Sequence, residues 1–333
     1  MENTSLAIAL SALDFLNLPE KLRLYREAQK IGGLGDNDFL SFLEKSSFDQ
    51  IIRLSKRDVR RPLCIKRWAP AELVRLAKKS ALLSRAFGSS CVLFGESLYP
   101  SLLREISDPP FALFYRGKIQ VLASQCVSVV GTRRLCSKAK KAARDFAREA
   151  ALDGLCVVSG LAMGADGQAH QGALDAFYDN KIPFCQTAAV LAGGVDNIFP
   201  SAHKKMAAQI MQNGGLILSE SAPGICGEKW RFVRRNRIIA GLSPATVVIQ
   251  APPGSGAMIT ADFALDYNRE LFFHQTCFCK EAMELSDYVF KSLQAKKGWQ
   301  FEKKIQARPE KYVQDGAKII LDYQDYRQNM KIS

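Results

Sequence analysis

The sequence predicts an α/β fold: a doubly wound, mostly parallel sheet preceded by a small all-helical N-terminal domain. Three observations predict it. From about Val121 onward, short β-branched runs alternate with helical segments of one to four turns, the pattern of a parallel sheet covered by helices. Before residue 86 that alternation is missing, and apolar residues recur every three or four positions instead. Most of the apolar runs end in Gly, Ser or Thr, as strand-to-helix turns require.

The elements follow in order. The opening "MENTSLAIALSALDFLNL" has no basic n-region and reads as an amphipathic helix, not a signal peptide. "LPEKLRLYREAQ" and "DFLSFLEKSSFDQIIRL" continue the helical pattern, with Gly32, Gly33 and Gly35 as punctuation. Residues 1–85 are therefore expected as a helical domain of SAM-like or helix-hairpin type, which carries no specific binding motif. Residues 86–120 are expected as a linker leading into the core, because Pro100, Pro109 and Pro110 force extended backbone.

In residues 121–326 the strands are "CVSVVG", "LCVVSG", "TAAVLAGG", "LILSE", "ATVVIQA" and "ELFFH". Between them lie helices, the first with Ser137 as N-cap and Gly154 at its end. The unit is a Rossmann-like core. Residues 280–310, polar and amphipathic with Lys296, Lys297, Lys303 and Lys304, read as an insertion or surface helix. "KYVQDGAKIILDYQDY" reads as the last ordered segment.

Composition narrows the function. The 333 residues suffice for two or three domains. Lys and Arg total 46 against 33 Asp and Glu, a formal charge of +13, which favours an anionic partner such as nucleic acid. No apolar run approaches the roughly 20 residues of a membrane span, so no membrane partner is expected. The nine cysteines form no C-x-x-C pair; reduced thiols and a cytoplasmic location are the expectation.

Ligands of open α/β sheets sit beyond the carboxyl ends of the strands. The residues there are Gly131, Thr132, Arg133 and Arg134, then Ser159 and Gly160, Gly193 and Gly194, Ser219 to Ser221, and Gly254, Ser255 and Gly256. Small side chains let backbone N–H groups approach an anion, and Arg133 can fork onto a phosphate. One such turn means little, since glycine is common in them; the whole row beside arginines points to an anion site. "VVGTRRLCS" holds a single glycine, so the dinucleotide fingerprint is absent and no cofactor is expected.

"WRFVRRNRIIAGLS" crowds Arg231, Arg234, Arg235 and Arg237 near what looks like a helix start, the end where cations are disfavoured unless a polyanion lies over them. Trp230 and Phe232 among them suit base stacking, or cover the core. His170 follows Asp166 by one helical turn; a helix cap plus a structural hydrogen bond is preferred to a metal or acid–base pair, because no third ligand is in reach. Glu220 is read as pairing with a nearby arginine. Lys204 and Lys205 are surface lysines with DNA contact as the alternative, and the basic helix from Lys138 to Arg148 is a solvated face or tracks a longer strand.

"VVGTR", "VSGLAMGADGQAHQGAL", "AVLAGGVDNIFPSAHKKM", "GGLILSESAPG", "FVRRNRIIAGLS" and "GSGAMITADFAL" resemble, in order, the motifs of the DNA-processing protein A family (DprA, also called Smf), from about Leu98 to Phe273. The resemblance implies a Rossmann-like core that binds single-stranded DNA, helps load the recombinase RecA in natural transformation or related recombination, and forms a homodimer through the core. It implies phosphate contact by Arg133, a shared pocket with Arg235, Asn236 and Arg237, stacking on Phe232, and backbone donors from Ser159, Gly160 and Gly254 to Gly256. The chain departs from the family at His203, where Asn is frequent, and in lacking "VPG" after the last core strand. With few residues after Tyr326 in the sequence, the winged-helix tail of many members is not expected.

Two other classes compete. Nucleotide phosphoribohydrolases share a P-G-G-x-G-T-x-x-E motif, but in "PPGSGAMITADF" the acid position falls on Ala261 or Phe263, and Asp262 fits neither register. Glycosidic cleavage needs a placed carboxylate, so no catalytic residue and no enzyme activity are expected. A nucleotide-sensing module is the other alternative.

Overall fold

The computed structural model describes residues 4–31, 36–57, 68–179, 181–295 and 298–332. Gly32, Gly33, Gly35, Lys296 and Lys297 lie outside the described residues, as does the side chain of Lys303. Five helices come first: α1 (Thr4–Ser11), α2 (Leu18–Ile31), α3 (Asp36–Lys45), α4 (Phe48–Ser55) and α5 (Pro70–Phe87). Then follow β1 (Ser90–Leu93), α6 (Ser101–Arg104), β2 (Ala112–Gly117), β3 (Cys126–Val130), α7 (Ser137–Leu152), β4 (Cys156–Ser159), α8 (Ala165–Tyr178) and β5 (Thr187–Leu191). The chain continues through α9 (Lys204–Gln212), β6 (Leu216–Ser219), α10 (Lys229–Gly241), β7 (Ala245–Val248), α11 (Gly256–Asp266) and β8 (Glu270–His274). It ends with α12 (Lys280–Gln294), α13 (Trp299–Gln306), α14 (Pro309–Gln314), β9 (Lys318–Ile320) and α15 (Tyr323–Met330).

The nine strands form one sheet in the order β1-β2-β6-β5-β4-β3-β7-β8-β9. From β6 to β9 every pairing is parallel; only the β1–β2 and β2–β6 pairings are antiparallel. Strands β3 to β6 step outward on one side, and the chain then returns through α10 to lay β7 against the other side of β3. That reversal is the switch point at which an open α/β sheet leaves a crevice.

The sheet is covered on both faces, and its alternation sorts residues accordingly. Val127, Val129, Val157 and Ile217 join the cluster that includes α7, α8 and the N-terminal helices. Val130, Val158, Leu216 and Val248 join the cluster under α10 and α11. Ser128, buried among them, donates at 2.7 Å to the Ile239 carbonyl, so its burial leaves no orphan hydroxyl.

The structure corrects four sequence expectations. Residues 86–120 contribute β1 and β2 to the sheet; a short antiparallel pair broken by a proline-rich connection lacks the strand–helix alternation that marked the rest. Helix α1 is not amphipathic: Leu6 to Leu10 are all at most 1 % exposed, because α3, α5 and the β1–β2 pair enclose it. Residues 280–310 are not an insertion. Helices α12 to α14 are the crossover between β8 and β9, which pair in parallel and cannot be joined by a tight turn. Finally, the N-cap of α7 is Cys136, whose Sγ accepts the Ala139 N–H, and not Ser137.

Candidate nucleic-acid interface

A cleft of about 430 Å³ opens at the carboxyl ends of β3 and β7, the switch point of the sheet. One wall is the loop after β3. A Cβ on Gly131 would stand 2.6 Å from the Ala165 Cβ and 3.0 Å from the Gln250 carbonyl, so only glycine lets the loop press this close. Gln250, just past β7, ties both ends of that loop. Its carbonyl takes the Thr132 N–H at 2.7 Å, and its side-chain Oε1 takes the Cys136 N–H at 3.0 Å. Gln250 escaped sequence reasoning; the available signal was a polar residue, here 2 % exposed, ending a β-branched run. The loop leaves Arg133 exposed and without an ion pair among the described residues.

The opposite wall is the start of α11. Ser255 stands at its N-cap position but makes no capping bond, and its buried Oγ has no hydrogen-bond partner. Gly256 is exposed, and its carbonyl accepts from Asn236 Nδ2 at 3.1 Å. Uncapped N–H groups, the positive end of a helix dipole and an unpartnered hydroxyl together form a setting for an anion. Gly254, with φ of +62°, turns the other way. Its N–H donates to the Ala307 carbonyl at 2.8 Å, and Lys304 covers it, so the crossover holds this turn and not the cleft.

Phe232 on α10 forms a third wall and meets Phe199 edge to face, ring centres 5.6 Å apart. Phe199 is 56 % exposed, so the two rings carry apolar surface out of the cleft. Lys204, at the start of α9, is exposed and does not line the cleft.

The arginines divide by helix phase. Helix α10 begins at Lys229, so Arg235 and Arg237 lie beyond its first turn, where the dipole no longer opposes them. Arg235 is 7 % exposed and donates to the carbonyls of Gly160, at 2.7 Å, and of Val190, past β4 and within β5. Arg237, two positions on and therefore turned about 200° around the helix, does not share the cleft. It is 3 % exposed, 2.6 Å from Glu220 and 3.3 Å from Asp108. Arg234 reaches the same Glu220 at 3.3 Å, so the expected pairing of Glu220 with an arginine is present twice. Arg231 lies over the Trp230 ring at 4.3 Å.

Ser159 and Gly160 also serve the interior. Ser159 Oγ donates to the Val129 carbonyl at 2.6 Å, and the space a Gly160 Cβ would need is filled by the Arg235 guanidinium. The Gly160 and Ala162 N–H groups point to the Asp166 carboxylate. Burial pushes that carboxyl up, against the opposing pull of Arg235 and these N–H groups. Asp166 is the second residue of α8, whose N-cap is Gly164, so it fixes the turn after β4 and does not cap the helix as expected.

His170 makes the structural hydrogen bond expected of it, 2.8 Å from Thr187 Oγ1. Thr187 has one hydroxyl proton and gives it to the Val157 carbonyl at 2.6 Å. Its oxygen therefore accepts from His170, which must carry its proton on Nδ1. Nε2 is buried without a partner, and burial draws the ring down to about 3. Among the described residues no group of three His, Cys, Asp or Glu side chains could hold a metal ion. Asp262 accepts from the Tyr312 hydroxyl of α14.

Residues 90–331 match the model of the DNA recombination-mediator protein A family. The chain is 30 % identical over 282 residues to Protein Smf of Borreliella burgdorferi, covering 83 % of this chain and 81 % of the relative. Against the DNA processing protein DprA of Bacillus subtilis it is 34 % identical over 189 residues, covering 56 % of this chain and 61 % of that protein. Among solved structures, DNA processing protein A of Streptococcus pneumoniae aligns with a TM-score of 0.67 at 26 % identity, over 98 % of both chains. The Helicobacter pylori DNA processing protein A, whose structure concerns its single-stranded DNA binding mode, aligns with a TM-score of 0.55 at 26 % identity, over 74 % of this chain and 96 % of that one.

Proposed function

This chain belongs to the DNA recombination-mediator protein A family, and from that premise we propose that it binds single-stranded DNA in the cleft between β3 and β7 and passes it to a recombinase of the RecA type. The observation that carries the reading is Arg133: an exposed, unpaired guanidinium on a glycine-tight loop, facing a helix start with unused donors. In this reading a phosphate sits between Arg133, Thr132, the Ser255 hydroxyl and the N–H groups of Gly256 and Ala257, and an adjacent base stacks on Phe232. Such contacts follow the backbone and tolerate any sequence. Arg235 contributes by holding the walls, with Ser159 and Gly160, while Arg237 and Gly254 support the fold away from the cleft, and Lys204 tracks a strand that leaves it.

The role is binding, without turnover. The positions at which a phosphoribohydrolase acid would fall are Ala261 and Phe263, and Asp262 is engaged with Tyr312. Homodimerisation through the core and RecA loading complete the reading. Fluorescence anisotropy with labelled oligo-dT tests it: binding should weaken steeply with salt and exceed binding to duplex of equal length. Equal affinity for duplex, or release of free base from nucleoside monophosphates, would overturn it. A RecA strand-loading assay with and without the protein tests the partner.

A further inference from the structure

Cys136 and Cys279 bring their Sγ atoms within 3.8 Å across 143 positions of chain. Each stands at the start of a helix, Cys136 before α7 and Cys279 before α12. Both are only half-buried, and Cys279 borders an open cleft of about 570 Å³ that Lys138 and Lys141 also line, so a small solute can reach the pair. Cys91 is also half-buried, in β1, but five other described cysteines make a contrast. Cys126 and Cys156 are neighbours in β3 and β4 but buried in the core, as are Cys185 and Cys277, while Cys226 is exposed on its own.

We propose that Cys136 and Cys279 are a redox modification site, converted by a peroxide into an intramolecular disulfide. The peroxide oxidises one thiol to a sulfenic acid and departs as water. The second sulfur attacks the first, its proton leaves with the displaced hydroxide as a second water, and the S–S bond forms; two thiols and one hydrogen peroxide yield one disulfide and two waters. A disulfide spans about 2.05 Å, so the sulfurs must close by roughly 1.8 Å, within reach of side-chain rotation and a small shift of two helix starts. The bond would staple the loop that carries Arg133, three positions before Cys136, to the start of the β8–β9 crossover, whose Ala307 holds the Gly254 turn. A solvent-reachable thiol contact of this kind suits a transient, reducible link.

The test uses the full chain under native conditions. Hydrogen peroxide is added, remaining thiols are blocked with N-ethylmaleimide, and the unreduced digest is mapped by mass spectrometry. The expected product joins the peptides of Cys136 and Cys279, two hydrogens lighter than their sum, and dithiothreitol releases it. Oxidation should also raise Tm by on the order of 5 °C through the long loop it closes, a rise absent from Cys136→Ser and Cys279→Ser. The proposal fails if peroxide modifies Cys226 while Cys136 and Cys279 remain separately blocked. It fails equally if mixed light- and heavy-isotope protein shows the link joining two chains. These readouts do not involve DNA, so they stand or fall apart from the binding function.

Discussion

Arg235 Nη1 lies 2.7 Å from the Gly160 carbonyl, in the space that a side chain at Gly160 would occupy. The arginine ties the ends of two parallel strands from a helix on the sheet's other side, and a buried cation thereby serves as a brace. Arg235→Ala should cost about 3 kcal/mol of stability, since it leaves two strand-end carbonyls and Asp166 without their partner. Urea unfolding measures this. A loss under 1 kcal/mol would show that the brace is dispensable.

Arg133→Ala should do the opposite. The side chain is exposed and unpaired, so Tm stays within a degree or two of the wild type. Affinity for oligo-dT should fall on the order of tenfold at low salt, and the slope of log K against log salt should shrink by roughly 0.7, the share of one single-strand phosphate. Anisotropy titrations at several salt concentrations read both.

Phe232→Ala separates base from backbone. Stacking on one ring contributes about 1–3 kcal/mol per base. The variant should lose that much against oligo-dT and almost nothing against an oligomer of abasic sites. Equal losses on both would move Phe232 from base contact to wall support for Phe199.

His170 sets an acid limit on the fold. Its ring titrates near 6.5 when unfolded and is drawn down to about 3 when folded, by burial above all. Between these values the unfolded chain binds the extra proton. Stability is therefore complete above pH 6.5 and falls as pH drops toward 3, by as much as about 4 kcal/mol. His170→Gln should show a shallower acid slope in urea midpoints. Nitrogen chemical shifts of the wild-type ring should report the Nδ1–H tautomer at neutral pH, and an Nε2–H signal would refute the assigned hydrogen bond to Thr187.

Most of the parallel core could be read from the sequence because its signal is local: "ELFFH" is β8 residue for residue, and the turns after β3 to β7 each carry a glycine or serine. What escaped depends on distant partners. "ALFYRG" joins the sheet as β2 because β6 lies alongside in the antiparallel sense, and nothing within residues 86–120 announces that neighbour. The same holds at the cleft. Gly131, Thr132, Arg133, Phe232, Asn236, Ser255 and Gly256 do converge there. Four arginines in "WRFVRRNR" look equivalent as letters, yet the helix turn sends Arg235 to strand carbonyls, Arg237 to Glu220 and Asp108, and Arg231 onto Trp230. Composition revealed the abundance of cations and left open which of them would be spent inside.

The outermost strands of the sheet have four residues in β1 and three in β9. An unpaired backbone rim is an invitation to foreign polypeptide, and the invitation scales with its length. A protein that works where partly unfolded or newly made chains are plentiful gains from rims this brief, since a visitor finds too few rungs to stay.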